Sequence, residues 1–327
     1  MIKIIDLFAG IGGIRKGFEI AFGSNNIECV LTSEIDKYAI ETYKANYGED
    51  NLYGNIKEII EHDVPDHNIL LAGFPCQPFS QAGLKKGFND TRGTLFFDIE
   101  RMLKAKKPEA FLLENVKQLR GHNKGNTLKV IIGHLEGIGY KVYVDVLAAK
   151  DFGCPQNRER IFIVGFLDHS VNFNFPVPIN KSIKVGDILE DKVDPKYTIS
   201  DKLWEGHKRR KEMHKNKGNG FGYSLFNENS PYTNTISARY YKDGSEILIE
   251  QKGKNPRKIT PREAARLQGF DDNFIINKVS DVQAYKQFGN SVCVPVITAV
   301  AKQMKICLDK KVVKLNPEKS KKLAMVN

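Results

Sequence analysis

Ile69-Leu70-Leu71-Ala72-Gly73-Phe74-Pro75-Cys76-Gln77-Pro78-Phe79-Ser80-Gln81-Ala82-Gly83 runs an apolar segment straight into a loop that holds a cysteine between two prolines. The apolar run reads as a strand. Proline has no N–H and a fixed φ, so Pro75 and Pro78 stop that strand and leave Cys76 at its carboxyl edge, where open α/β sheets gather their ligands. A thiol there is presented as a nucleophile, although free cysteine more often serves as a small buried hydrophobe.

Working outward, residues 1 to 166 alternate β-branched runs with helical patterns. Ile2 to Leu7, Cys29 to Ser33, Ile69 to Ala72, Ala110 to Leu113, Tyr140 to Leu147 and Ile161 to Gly165 read as strands. Lys37 to Asn46, Leu95 to Lys104 and Thr127 to Leu135 carry helical spacing between them. Strand and helix in alternation predict an α/β fold with a mostly parallel, doubly wound sheet. After about residue 167, Asn, Pro and Lys become frequent, and residues 186–262 carry Gly218, Gly220, Gly222 and Gly244 among aromatic and positive side chains, a separate, smaller, loop-rich domain. Helical spacing returns at Pro261-Arg262-Glu263-Ala264-Ala265-Arg266-Leu267 and again from Ser291 to Leu308. The first domain, 1–185, is therefore completed by 263–309, and the lysine-rich stretch 310–327 reads as a frayed tail.

The 327 residues are long enough for a sizeable core, with 41% hydrophobic and 27% charged residues, as in soluble globular proteins. A net charge of +11 points toward a polyanionic partner, although many basic surfaces are only solvated lysines. Cys29, Cys76, Cys154, Cys293 and Cys307 are irregularly spaced and form no zinc-binding pattern, which fits a reduced cytoplasm and no metal. Asp6 interrupts the first apolar stretch before a signal-peptide core forms, and the longest later run, Val292 to Ala301, is too short to span a bilayer, so neither export nor membrane insertion is expected.

Asp6-Leu7-Phe8-Ala9-Gly10-Ile11-Gly12-Gly13 places three glycines where the first strand turns into a helix, letting the backbone approach a ligand closely. Glu34 closes the next apolar run, placed to take a ribose diol. Together they point to a nucleoside-containing cofactor. Glu114, in Glu114-Asn115-Val116, falls on the same sheet edge as Cys76 if the two strands are neighbours; alone it reads as a solvated glutamate. Gln156-Asn157-Arg158-Glu159-Arg160 offers two guanidinium forks on one face, a pattern that more often decorates a surface or anchors phosphate.

In this order the segments resemble the cytosine-5 DNA methyltransferases, especially the small bacterial restriction-modification enzymes. The blocks are the Asp-Leu-Phe-Ala-Gly turn, the Pro-Cys-Gln loop, Glu-Asn-Val, Gln-x-Arg-x-Arg, Pro-Arg-Glu-x-Ala-Arg and Gln287-Phe288-Gly289-Asn290-Ser291-Val292. The resemblance covers Ile4 to Gly165 and Ile259 to about Ala301, and it implies a Rossmann-like S-adenosylmethionine-dependent fold with a target-recognition domain. It further implies Cys76 as the thiolate that attacks C6, Glu114 as the group facing N3 and the exocyclic amine, Arg160 on O2, and Arg158 steadying the pocket and a backbone phosphate.

For S-adenosyl-L-methionine, and its product S-adenosyl-L-homocysteine, the implied positions are Phe8, Ile11, Gly13, Glu34, Ile35, Asn55, Ile56, Pro75, Leu95, Asn290, Ser291 and Val292. Two of them depart from the family pattern. Asn55 stands where an aspartate is usual and Ile35 where an aromatic is frequent, so weaker cofactor affinity is expected than in a chain carrying Asn55→Asp. A base stacked in a duplex is out of reach of this chemistry, and Ser80 to Phe97 resembles the mobile loop that closes over a flipped nucleotide.

The double-stranded DNA contacts implied are Gln77, Ser80, Lys85 and Arg92 in that loop, and Thr235, Arg239, Tyr240, Tyr241 and Lys242 in the recognition domain. Arg239 is a candidate for guanine, and Thr235 matches the family's phosphate-contacting threonine. The recognition segments look like those of Dcm-type enzymes, which methylate the inner cytosine of CC(A/T)GG, and of relatives reading CCNGG. A bacterial cytoplasmic monomer, with a cognate restriction endonuclease on the same site, completes the expectation. Two other readings stay open at this point: the tRNA-methylating relatives, which carry Pro-Pro-Cys where this chain has Phe74-Pro75-Cys76, and a catalytically silent DNA-binding homologue. A nicotinamide dehydrogenase would leave Cys76, Glu114 and Arg160 without roles.

Overall fold

Apolar runs six to eight residues long, or flanked by glycine, line up as one seven-stranded sheet in the computed structural model, which describes residues 1–75, 95–179 and 183–315. The strands are β1 (Ile2–Leu7), β2 (Ile27–Ser33), β3 (Leu52–Tyr53), β4 (Ile69–Gly73), β5 (Ala110–Val116), β6 (Lys141–Ala148) and β7 (Glu159–Phe166). Their spatial order is β3-β2-β1-β4-β5-β7-β6. Every pairing from β3 to β5 is parallel, while β7 runs antiparallel between β5 and β6. Only residues 149–158 join β6 to β7, fewer than the dozen or so that a parallel crossover requires.

Side chains alternate across this sheet. Ile4, Ile69, Leu71, Ala110 and Leu112 point into one apolar layer, and Ile5, Leu70, Ala72, Phe111 and Leu113 into the other. Helices α1 (Gly13–Phe22), α2 (Lys37–Tyr47), α3 (Leu95–Lys106) and α4 (Asn126–Gly137) connect the strands. Burial on both faces explains why β4 and β5 read as unbroken apolar runs and not as alternating ones.

The segment expected to be loop-rich contains a helix of sixteen residues, α5 (Asp201–Asn216), capped by Ser200 Oγ accepting from the Leu203 amide, and a small sheet of β8 (Leu225–Phe226), β9 (Leu248–Ile249) and β10 (Arg257–Lys258). Of the side chains of α5 only His207 is fully buried, so no apolar period betrayed it. Then follow α6 (Pro261–Leu267), α7 (Asp281–Asn290) and α8 (Val294–Leu315). Thr260 and Glu263 form a reciprocal capping box, with proline at the first helical position.

The stretch Asp281–Lys310 is by length and composition apolar enough to cross a bilayer, more than the run Val292 to Ala301 suggested. Here it is broken between α7 and α8, and Val296, Ile297, Val300, Ala301 and Met304 are buried in the core beside α1. The close approach requires Gly17: a Cβ there would lie 2.5 Å from Ile297 Cγ2. Cys154 and Cys293, 139 residues apart, are joined as a disulfide that their spacing did not suggest; both are buried, and only packing brings them together.

Candidate active site

Register decides the first contact. Gly73 of β4 pairs with Glu114 of β5, so the glutamate stands beside the residues that lead to Pro75, and Asn115 Nδ2 donates to Phe74 O at 3.0 Å, pinning the chain as it leaves the strand. On the other side Glu114 lies opposite Phe162 and Val116 opposite Arg160, which makes Glu114 and Arg160 diagonal neighbours on one face. Arg160 Nε sits 3.0 Å from Glu114 Oε1, an ion pair between two largely buried side chains. Burial drives the Glu114 carboxyl above its ordinary value against the pull of Arg160 and Arg158, which favours the protonated acid.

The second part is the turn after β1. Phe8 and Gly10 both adopt left-handed backbone, with φ of 57° and 56°. A Cβ at Gly10 would meet nothing within 4 Å, so the turn leaves open room against its backbone. Glu34, at the end of β2, accepts from Gly10 N at 2.7 Å through one oxygen and from Ile35 N and Asp36 N at 2.7 and 2.8 Å through the other. Three amides thus fix the carboxylate at the lip of the turn.

Both parts open into one cavity of about 500 Å³. Phe8, Ile11, Gly13, Glu34, Ile35, Asn55, Ile56, Pro75, Leu95, Asn290, Ser291 and Val292 all line it, together with Glu114 and Arg160. Ile35 is 73% exposed, and Asn55 caps a short helical turn by accepting from Lys57 N. Cys76, Gln77, Ser80, Lys85 and Arg92 lie outside the described residues. Lys286 and Gln287 line the cavity although the sequence reading assigned them no role. The signal was available: Lys286 is one helical turn from Asn290 on α7, hence on the same face.

Arg158 does not share the face of Arg160. It precedes β7, turns away, and is 2% exposed, donating to the carbonyls of Ile236 and Gly289 at 3.3 and 3.2 Å and to that of Ser291. Burial and the nearby Arg160 push it down to about 9. Held by these three carbonyls, it is placed to steady the pocket wall. The expectation for Tyr240 is corrected. It is fully buried, donating to Ile247 O at 2.7 Å and accepting from Ile259 N at 2.8 Å, a core residue and not a base reader. Thr235 Oγ1 donates to Asn157 O at 2.6 Å, Tyr241 is half-buried under the Lys286 ammonium, and Arg239 and Lys242 are exposed.

Comparison with known proteins places the whole chain in a family. The family model described as C-5 cytosine-specific DNA methylase matches residues 2–306. The chain is similar to Type II methyltransferase M.NlaX of Neisseria lactamica, 70% identical over 94% of this chain and 97% of that protein. It is also similar to Type II methyltransferase M.SsoII of Shigella sonnei, 65% identical over 94% of this chain and 81% of the relative. Among solved structures, the S. pombe Dnmt2 methyltransferase superposes with a TM-score of 0.77 at 20% identity, covering 95% of this chain and 99% of that one, a likeness of fold. The protein belongs to the C-5 cytosine-specific DNA methylase family, the enzymes that methylate cytosine at C5 in DNA.

Proposed function

We propose that the chain transfers a methyl group from S-adenosylmethionine to C5 of a cytosine extruded from a short duplex DNA site, acting like its Type II relatives in a restriction-modification system. The observation that carries this reading is the single cavity in which a cofactor-type glycine turn, with its fixed Glu34 carboxylate, meets the Glu114–Arg160 pair beside Pro75. The open backbone at Gly10 and the acidic lip of Glu34 fit an adenosyl group with its ribose diol.

S-adenosylmethionine, when bound, supplies an electrophilic methyl group. The residues supply the rest. Cytosine C5 is a poor nucleophile until C6 is attacked, and Cys76, directly after Pro75, is the thiolate for that attack. Addition at C6 sends electron density toward N3, where protonated Glu114 donates, while Arg160 holds O2. Loss of the C5 proton and departure of the Cys76 sulfur restore the ring. Residues 186–262 serve as the target-recognition domain, with Arg239 and Lys242 as the exposed base or phosphate contacts and the inner cytosine of a CCWGG- or CCNGG-like sequence as target. The enzyme acts as a cytoplasmic monomer, paired with an endonuclease of the same specificity.

Bisulfite sequencing of DNA from cells expressing the chain tests substrate, base and context together. Methylated cytosine in one short context is expected, and it disappears in Cys76→Ser, a loss of at least about a hundredfold. A duplex with 5-fluorocytosine at the target should trap the native enzyme covalently. Undiminished methylation by Cys76→Ser, or methyl incorporation into tRNA and not duplex DNA, overturns the reading.

A further inference from the structure

We infer that α5 is a second grip on duplex DNA, taking phosphates that flank the recognition site; the inference rests on the proposed DNA substrate. Wound at about 100° per residue, Arg209, Lys202, Met213 and Lys217 fall within an arc of about 80°, and Arg210 borders it. The acids Asp201, Glu205 and Glu212 lie on the opposite side of Arg209, about 40° to 80° away, so the arc holds cations and no carboxylate.

The helix also has a fixed place. Its packed side rests on the far end of the candidate reading loop: Arg210 Nη1 pairs with Asp243 Oδ2 at 3.0 Å, and the buried His207 ring sits 3.3 Å from Asp243 O. Trp204 and Lys211 pack on Tyr223 from the other flank. Asp243 therefore marks the side of α5 on which the cationic arc begins, and exposed Lys242 is its neighbour in the chain. Lys202, Arg209 and Lys217 are exposed, and among the described residues none of the three makes an ion pair. From Lys202 to Lys217 the helix rises about 22 Å, the span of about six base pairs at 3.4 Å each. A free cationic stripe of that length, tied to the candidate reading loop, complements the regular charge of a phosphate backbone. It extends the footprint without adding sequence specificity.

The experiment compares the full-length enzyme with Lys202→Gln/Arg209→Gln/Lys217→Gln on two duplexes carrying the site that bisulfite sequencing defines, one of about 12 base pairs and one of about 30. On the long duplex the variant should bind at least about tenfold more weakly, and the slope of log K against log salt should fall by about 2.7, at 0.9 per lost phosphate. On the short duplex, affinity and kcat should be unchanged, and so should the melting temperature. Equal losses on both lengths, or no loss on either, overturn the inference while leaving the methyltransferase reading intact. Tighter binding of structured tRNA than of the long duplex, abolished by the same variant, reassigns the stripe to RNA. Absence of methylation by the unaltered chain on either duplex is the separate failure of the proposed substrate.

Discussion

Asp6 is fully buried in β1 and neither carboxylate oxygen completes a hydrogen bond, a costly arrangement shortly before the glycine turn. Burial pushes it up to about 7, with Glu34 and Glu19 adding to the rise and Arg15 opposing it. A folded value above the ordinary 3.8 means that the neutral acid stabilises the fold below that pH and that this contribution is lost as pH rises through 7. Asp6→Asn should remove the dependence. Denaturant titrations at pH 5 and 8 should show the native chain losing about 2 kcal/mol more than the variant between the two. Identical losses would mean that Asp6 is ionised throughout. At the same scale, Phe8 holds left-handed backbone in the cavity wall, strain of about 1 to 3 kcal/mol tolerated where the turn must curl around a ligand.

At the scale of elements, α6 is held by one buried carboxylate. Glu263 accepts both guanidinium arms of Arg257 at 2.7 and 2.8 Å, and also the amides of Thr260 and Glu190 at 2.8 and 2.9 Å. Removing it strands a buried cation and two donors, so Glu263→Ala should cost about 3 to 5 kcal/mol in chemical denaturation, far more than a lost surface pair. A cost below about 1 kcal/mol would show that Arg257 finds another partner. The capping box was legible, since Thr-Pro-x-Glu is local chemistry; the pairing with Arg257 across β10 was not. The same contrast separates α3, visible through its apolar stripe, from α5, which offers the core a single buried histidine.

Across the whole molecule, the segment proposed for recognition and the sheet domain are joined through Gln156. Its Oε1 accepts from Ile236 N at 2.9 Å, and its Nε2 donates to Leu267 O at 3.3 Å, all of it buried. Arg158 adds the carbonyls of Ile236 and Gly289 two residues on. The segment at Ile236 is thus registered against residues that line the cavity. Gln156→Ala should lower stability by about 2 kcal/mol or more through unsatisfied buried groups, and raise KM for DNA at least severalfold with cofactor affinity nearly unchanged. Equal weakening of DNA and cofactor binding in filter-binding and calorimetric assays would instead place Gln156 in the cofactor wall.

Sequence by itself determined the alternating sheet, the end of β4 before Pro75, the glycine turn with Glu34, and the edge position of Glu114, because strand ends, prolines and glycines act over a few residues. The tertiary structure decided which of two arginines, two positions apart, faces the cavity, that Tyr240 is core while Arg239 is surface, and that Cys154 meets Cys293. Those outcomes depend on which distant segments desolvate each side chain, and no local pattern encodes that.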